Sequence, residues 1–377
     1  MDILFYTDTP NYGGAEKQME MLARHLKTLD CRVFLACGAY SILKKKKESY
    51  KKVYEDVFLL KTLHKHDPRH YLSLKKLLKK KKFDLIHIHV WNPGSCRYAF
   101  FAAKKMELPI VATEHDPFNL SGLKRIIKKN CLKKTDQIIT ISSDNYGQML
   151  DNYGQGVDNV QHLKNRLNIV HNGIKLDSII DIVDKVSIIN KSEIFGVNGI
   201  KNEDFVITCV AELHERKGHK YLIDAFKKIQ KKTPNSHLIL VGTGPYKQNL
   251  NDYSANTPNV HFLGWRDDIS QILKASDVFV LPSLKEAFGL VLLEAMACGT
   301  AVVGTNNGGI KDIIKDNECG LLVPPKNSEK LANAIGDLLK NPNKRKKFEK
   351  AALKRVKSCF TAKDMAKKTF EVYKKVF

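Results

Sequence analysis

The chain has no Cys-x-x-Cys pair. Its eight cysteines, at positions 31, 37, 96, 131, 209, 298, 319 and 359, are scattered, which argues against a zinc site and against a disulfide framework and leaves them as reduced thiols. No apolar run approaches the roughly 20 residues of a membrane span. The opening residues, Met1-Asp-Ile-Leu-Phe-Tyr-Thr-Asp8, lack a basic region and carry too few apolar residues for a signal peptide. They read as a first strand, and the expected location is the cytosol. Arginine is scarce too, ten of 63 basic residues, although the net charge is +23. That lysine excess reads either as genome composition or as function. The lysines clump at 44–47, in Lys75-Lys76-Leu-Leu-Lys79 with lysines 80 to 82, and in Lys124-Arg-Ile-Ile-Lys128-Lys129-Asn-Cys-Leu-Lys133-Lys134. The last two have apolar residues at helical spacing, the pattern of a basic amphipathic helix on an anionic membrane; a solvated face is the alternative. The patches lack interleaved aromatics and carry no nucleic-acid-binding motif, so no nucleic acid is expected as partner.

What is present is two domains' worth of globular chain: 377 residues with 43% hydrophobic and 27% charged content. Apolar strands are expected at 3–6, 33–36, 57–60, 84–90, 110–113 and 137–141, each separated by a helical pattern, which implies an α/β fold with a parallel sheet covered on both faces. Ligands of such sheets bind at the C-terminal strand ends, so His89, Trp91, Glu114, His115 and Asp116 are expected in one crevice. His87 and His89 also read as core or rim residues. The first strand runs into Pro10-Asn-Tyr-Gly13-Gly14-Ala-Glu16 and then a helix with Met19, Leu22, Ala23 and Leu26 inward. Two glycines before a helix suit close approach of a phosphate, although a plain tight turn would look the same; the spacing is not Gly-x-Gly-x-x-Gly.

Residues 283–299 hold the densest signal. Strand Val278-Phe-Val-Leu-Pro282 leads into a tight loop and a helix whose start falls at Phe288, Gly289 and Leu290, so their free N–H groups can face an anion or sugar hydroxyls. Glu286 precedes this start and Glu294 lies about a turn beyond Leu290, two carboxylates spaced E-x7-E and suited to neighbouring hydroxyls. Alone, that pair is a weak signal.

In order with Asp277-Val-Phe-Val-Leu-Pro-Ser283, Ala297-Cys-Gly299-Thr300-Ala-Val-Val and Gly320-Leu-Leu-Val-Pro324, the pair resembles the C-terminal half of the retaining GT-B glycosyltransferases of family 4. Thr113-Glu-His115-Asp116 resembles that family's Thr-x-His-Asp element, and Asn168-Ile-Val-His-Asn172-Gly173-Ile174 its Asn-Gly signature, with Lys175 where an aspartate is typical. Ala211-Glu212-Leu213-His-Glu-Arg216-Lys217-Gly218 matches the Gly-Arg-Leu-x-x-x-Lys-Gly element, except that Glu212 stands in the arginine position. A carboxylate there would repel phosphates; the expectation is that Glu212 swings away and Arg216 takes the charge.

Residues 177–200 read as an irregular hinge region, and Lys347 to Phe377 as basic and helical. The resemblance implies two Rossmann-like domains facing across a cleft, at 1–176 and 177–359, with a helix at 360–377 crossing back to the first. It implies retaining transfer from a nucleotide sugar, UDP-linked by preference, to an acceptor hydroxyl on a glycan or lipid-linked intermediate. His115, Lys217 and Glu286 are carried over as catalytic. Gly13, Gly14, Arg216, Gly242, Phe288, Gly289, Leu290 and Glu294 are carried over as donor-binding, with Glu294 on the ribose. In the family the loops after 237–241 and 260–264 flank the base. No Asp-x-Asp triplet of the metal-dependent type occurs, so no catalytic metal and no cofactor beyond the co-substrate are expected. Asp267-Asp268 reads as a helix N-terminus. The alternatives are a non-catalytic sugar-nucleotide or glycan binding relative, motivated by Glu212, and a sugar-nucleotide epimerase.

Overall fold

Among the described residues thirteen short apolar runs form strands, and most are buried on both faces, which is why they read as continuous Val, Ile and Leu rather than alternating with polar residues. The computed structural model describes residues 1–41, 47–116, 118–154, 160–185 and 190–377. Lysines 44 to 46 of the first lysine cluster lie outside the described residues. The chain divides into two units, Met1–Gly173 with Ala362–Phe377, and Ile174–Thr361.

The first unit carries β1 (Asp2–Thr7), β2 (Arg32–Gly38), β3 (Val57–Leu60), β4 (Leu85–Val90), β5 (Ile110–Glu114), β6 (Gln137–Thr140) and β7 (Leu167–Ile169), in the order β3-β2-β1-β4-β5-β6-β7. Every pairing is parallel. Side chains along a strand alternate between faces, so β1 feeds two cores. Ile3 and Phe5 pack with Val33 and Leu35 under Met19, Leu22 and Leu26 of the helix Gly14–Leu26 and Met365, Val372 and Tyr373 of the helix Ala362–Lys374. Leu4 and Tyr6 pack on the other side with Phe34, Ile86 and Ile88, beneath Leu74 and Leu78 of Arg69–Lys80 and Phe100 of Arg97–Lys105.

The second unit repeats the plan with β8 (Phe205–Val210), β9 (Ser236–Val241), β10 (Val260–Gly264), β11 (Val278–Leu281), β12 (Ala301–Thr305) and β13 (Leu321–Val323), ordered β10-β9-β8-β11-β12-β13 and all parallel. Its main core joins Ile207, Leu238, Val280 and Val303 to Phe226 of His219–Gln230 and Ile335 of Ser328–Lys340. In each unit the strand order reverses once, between β1 and β4 and between β8 and β11, and a crevice at the C-terminal strand ends of such a reversal is where open α/β sheets bind ligands.

One expectation about chain course changes. Residues 177–200, read as an irregular hinge, hold the helices Leu176–Lys185 and Lys191–Phe195. The first packs on the helices Ile269–Ala275 and Leu290–Ala297; Leu176, Ile179, Ile180 and Val183 stand at helical spacing, a signal the hinge reading passed over. The C-terminal region, read as basic and helical from Lys347 with a separate helix from 360, breaks at Phe360 and Thr361 between Pro342–Cys359 and Ala362–Lys374. The break sits where the chain changes unit, and there Ile174 N–H donates to the Phe360 carbonyl at 2.9 Å beside a bridge from Ile174 to Thr361. Among the described residues no helix is long and apolar enough to cross a membrane.

Candidate functional site

The loops after β8 and β11, at the strand-order reversal of the second unit, are tied to each other by backbone and side chain. Leu284 N–H donates to the Arg216 carbonyl at 2.8 Å, and Gly218, at φ +71°, passes so close to strand β11 that a Cβ there would lie 2.1 Å from the Pro282 carbonyl oxygen. From the other side the loop after β12 holds the same segment. Thr305 Oγ1 donates to the Ser283 carbonyl at 2.6 Å, Asn307 Nδ2 to the Leu284 carbonyl, and Gly309 N–H to the Glu286 carbonyl at 3.1 Å. Three loops therefore fix the backbone of Glu286.

Its side chain is fixed as well. Lys217 Nζ donates to Glu286 Oε2 at 2.6 Å and Ser283 Oγ to the same oxygen at 2.9 Å, leaving Oε1 outside both bonds. Lys217 and Glu286 are nearly buried, with 13% and 11% of their side chains exposed, so their attraction is little screened. The helix Leu290–Ala297 follows at once. Gly289 is its N-cap at φ +98°, a left-handed conformation that glycine alone adopts without strain, and no side chain caps the amides of this first turn. Glu294 lies in the same helix. Phe288 turns its ring inward, edge-on to Phe360 at 6.1 Å, so only its backbone is available to a ligand. Gly242, at φ +137°, lets the loop after β9 press on the loop after β8: a Cβ would lie 2.0 Å from the Ala211 carbonyl oxygen.

Arg216 is not free of Glu212. Its Nη2 donates to Glu212 Oε2 at 3.0 Å, with both side chains about half exposed. The carboxylate that replaces the family arginine does not swing away; it neutralises the arginine expected to substitute for it. Asp268 likewise does not cap its helix with its side chain but takes Arg266 Nε at 2.7 Å.

His219 opens the helix after Gly218 with its ring buried, and neither ring nitrogen has a protein partner. Burial, and next the charge of Lys217, pull it down to about 4. The folded value lies below the unfolded one, so the ring costs stability increasingly as pH falls from about 6.5 towards 4. His219→Leu is expected to stabilise the protein by about 1–2 kcal/mol at pH 7.5, the cost of an unpartnered buried polar group. The gain widens by up to about 1.4 kcal/mol per pH unit below 6.5. Urea unfolding at pH 7.5 and pH 5 checks this; equal shifts at both would contradict it.

In the first unit Gly13 caps the helix Gly14–Leu26 in extended backbone at φ −141°, and its N–H donates to Glu16 Oε2 at 2.8 Å. A Cβ at Gly13 would meet only that carboxylate, at 3.6 Å, so nothing in the fold demands glycine there. His115 is buried, and burial pulls it down to about 4. Its Nε2 lies 3.4 Å from His89 Nδ1, and the two rings stack with centroids 5.7 Å apart. His87 is a core residue between Tyr373 OH at 2.6 Å and Thr113 Oγ1 at 2.7 Å. Glu114 corrects the expected crevice: it is fully buried and paired with Lys128, itself buried, which thereby leaves the surface stripe assigned to its helix. Sequence reading missed Asp8 at the end of β1. Its carboxylate takes Trp91 Nε1 at 2.8 Å and Cys96 N–H at 2.7 Å, pinning the loop after β4. An aspartate closing an apolar strand was the available signal. Thr305 and Asn307 were missed because their partners are carbonyls distant in sequence, and Ser283 because its hydroxyl reaches Glu286 only in the tight loop after β11.

Comparison with known proteins agrees with this plan. The profile described as Glycosyltransferase Family 4 matches residues 12–178, and the one described as Glycosyl transferases group 1 matches residues 190–355. The UDP-Gal:alpha-D-GlcNAc-diphosphoundecaprenol alpha-1,3-galactosyltransferase of Escherichia coli is 28% identical over 293 residues, 71% of this chain and 70% of that one. Among solved structures, Anabaena Alr3699/HepE in complex with UDP superposes with a TM-score of 0.83 at 22% identity, covering 99% of this chain and 100% of that one. A glycosyltransferase from Rickettsia africae ESF-5 also reaches 0.83, at 20% identity, over 100% and 98%. With two profiles meeting near the boundary between the units and a fold shared along the whole chain, this protein belongs to the GT-B glycosyltransferases of family 4, the group 1 glycosyl transferases.

Proposed function

We propose that the chain transfers a sugar from UDP to an acceptor hydroxyl with retention of configuration and without a catalytic metal. The observation that carries this reading is the Lys217–Glu286–Ser283 cluster, held by three loops beside the uncapped start of the helix Leu290–Ala297. A departing diphosphate needs positive charge already in place, and an ammonium group with backbone amides in a nearly dry site supplies it without reorganisation. Lys217 is neutralised by Glu286 before the donor arrives; on binding, the phosphates take Lys217 and the sugar hydroxyls take Glu286. Glu294 holds the ribose, Gly242 shapes the loop beside the base, and the amides of Phe288, Gly289 and Leu290 face the sugar. On the first unit taken by itself, Gly13, a glycine that the fold does not require, and Gly14 suit close approach of a phosphate, and His115 stands buried at the end of β5. Release of UDP from a panel of nucleotide sugars tests the reading without knowledge of the acceptor; no release from any of them would contradict it.

The Glu212–Arg216 pair favours a second reading, a non-catalytic sugar-nucleotide or glycan binder, because it removes one cation from the diphosphate side. The two readings share a prediction and part on turnover. Glu212→Gln should tighten UDP binding roughly threefold to tenfold, the size of a removed exposed like-charge contact of about 1 kcal/mol, and Arg216→Ala should weaken it similarly. Calorimetric titration checks both changes; unchanged affinity in both variants would place the pair away from the phosphates.

For the acceptor we propose a lipid-linked glycan met at an anionic membrane surface. Leu72 at 64%, Leu123 at 71% and Ile126 at 57% stand exposed on the lysine-rich helices Arg69–Lys80 and Gly122–Lys133, the composition of an interfacial face. The named acceptor of the E. coli relative is a diphosphoundecaprenol-linked sugar. Co-sedimentation with phosphatidylglycerol vesicles, lost on replacing Lys75, Lys76, Lys79 and Lys80 by glutamine, is the expected result; equal sedimentation with neutral vesicles would contradict it.

A further inference from the structure

In the first unit, a cavity of about 250 Å³ opens at the C-terminal ends of β3, β4 and β5. Four cations line it, Lys65, Arg97, Lys124 and Lys128, and no carboxylate does. Only Lys128 is neutralised, by the buried Glu114. Lys65 is spent on no acid: its Nζ sits 4.8 Å over the Trp91 ring. Arg97 uses Nη2 on His66 Nδ1 at 2.8 Å, while its Nε is buried with no partner. Among the described residues neither Lys65, Arg97 nor Lys124 has a carboxylate within ion-pair distance. Like charges gathered in a concave, partly desolvated space repel each other, so their collection around one cavity lowers the energy of an anion placed there. The helix Arg97–Lys105 also starts at this wall, but the Asp8 carboxylate already accepts its N-cap amide at 2.7 Å, so the attraction rests on the side-chain cations.

The remaining lining mixes the polar side chains of His66, Asn92 and Ser95 with an apolar part. Phe100, Phe118, Leu120 and Ile127 form that apolar part, and Leu63, Leu123 and Ile126, all more than half exposed, lie on the same two segments that bring Lys65 and Lys124. A multiply charged group with an apolar extension matches both halves. We infer that this cavity holds the phosphoryl group of an amphiphilic acceptor, with Lys65, Arg97 and Lys124 as its ligands and the chain lying over the exposed apolar side chains. The inference rests on reading the acceptor as lipid-linked.

Trp91 provides the readout, because it is one of only two tryptophans and touches Lys65. With Trp265→Phe as background, the protein is titrated with decyl phosphate below its micelle concentration, with decyl maltoside and with inorganic pyrophosphate. The expected result is a saturable change of Trp91 emission with decyl phosphate at least tenfold tighter than with decyl maltoside or pyrophosphate. Lys124→Gln and Arg97→Gln, in protein of unchanged melting temperature, should each weaken it about tenfold, and Lys350→Gln on the other unit should not. An equal response to decyl maltoside, or no effect of Lys124→Gln, overturns the inference. A pyrophosphate response as tight as that of decyl phosphate assigns the cavity to free phosphate and overturns it as well. UDP binding is measured on the same sample. Protein that takes decyl phosphate but not UDP keeps the cavity and loses the transferase reading; the reverse loses the cavity alone.

Discussion

Lys217→Ala is expected to lower kcat for UDP release by roughly 10²–10³-fold, the loss typical when one preorganised group facing transition-state charge is removed. Two effects act together. The diphosphate loses the ammonium group, and Glu286 loses the partner 2.6 Å away that keeps its carboxylate in place. With Glu286 only 11% exposed, the stranded charge also costs stability, towards the roughly 3–5 kcal/mol seen when a buried pair is broken from one side. Lys217→Ala combined with Glu286→Gln removes that second penalty, so the double variant should recover thermal stability but no turnover. Initial rates and melting temperatures of the single and double variants check the argument. A fall in kcat of less than about fivefold for Lys217→Ala would place the lysine outside the reacting site.

Gly308→Ala is expected to reach the same site from the far side of the loop. Gly308 sits at φ +53°, and a Cβ there would lie 1.8 Å from the Glu286 carbonyl oxygen, a backbone atom with no freedom to give way locally. The substitution adds left-handed strain to a steric overlap, so the loop 282–289 must move. The expected cost is of order 2–3 kcal/mol of stability. Turnover should fall about 10²-fold, because a displacement of roughly 1 Å in a positioning group is enough for that. Unfolding and kinetics on the same preparation check both. A variant with normal kcat would show that the carbonyl of Glu286 can shift without moving its carboxylate, and that the three-loop clamp is irrelevant to function.

These two residues differ in how far they could be read without coordinates. Lys217 stands in a spaced motif after an apolar strand, and its neighbour Gly218 marks the helix start; motif and strand together sufficed. Gly308 was legible only as part of a glycine-rich turn, since its partner lies 22 residues earlier in sequence. The strands were legible for a general reason: a run buried on both faces needs consecutive Val, Ile and Leu, as in Ile3 to Tyr6 and Val278 to Leu281, and few other structures do. Helix Leu176–Lys185 was legible as well, with Leu176, Ile179, Ile180 and Val183 at helical spacing, although Leu176 is its one buried residue.

Charge was the least legible property. Lys128 sits in a run of lysines yet is buried on Glu114, and Glu114 sits in a motif beside His115 yet turns away from the expected crevice. Both follow from one tertiary contact between β5 and the helix Gly122–Lys133 that sequence spacing does not encode. Glu212 was the reverse case. Its departure from the family pattern was visible at once, but whether Arg216 would escape it depended on a four-residue geometry that the fold closes into an ion pair.

The central claim is that a nucleoside diphosphate sits at the strand-order reversal of the second unit. Crystals grown with saturating UDP test it most directly. The account predicts the ribose against the Glu294 carboxylate, the phosphates against Lys217 Nζ and the first amides of the helix Leu290–Ala297, and Glu286 released from Lys217. UDP seated elsewhere, or a Lys217–Glu286 pair unchanged with UDP bound, would contradict it.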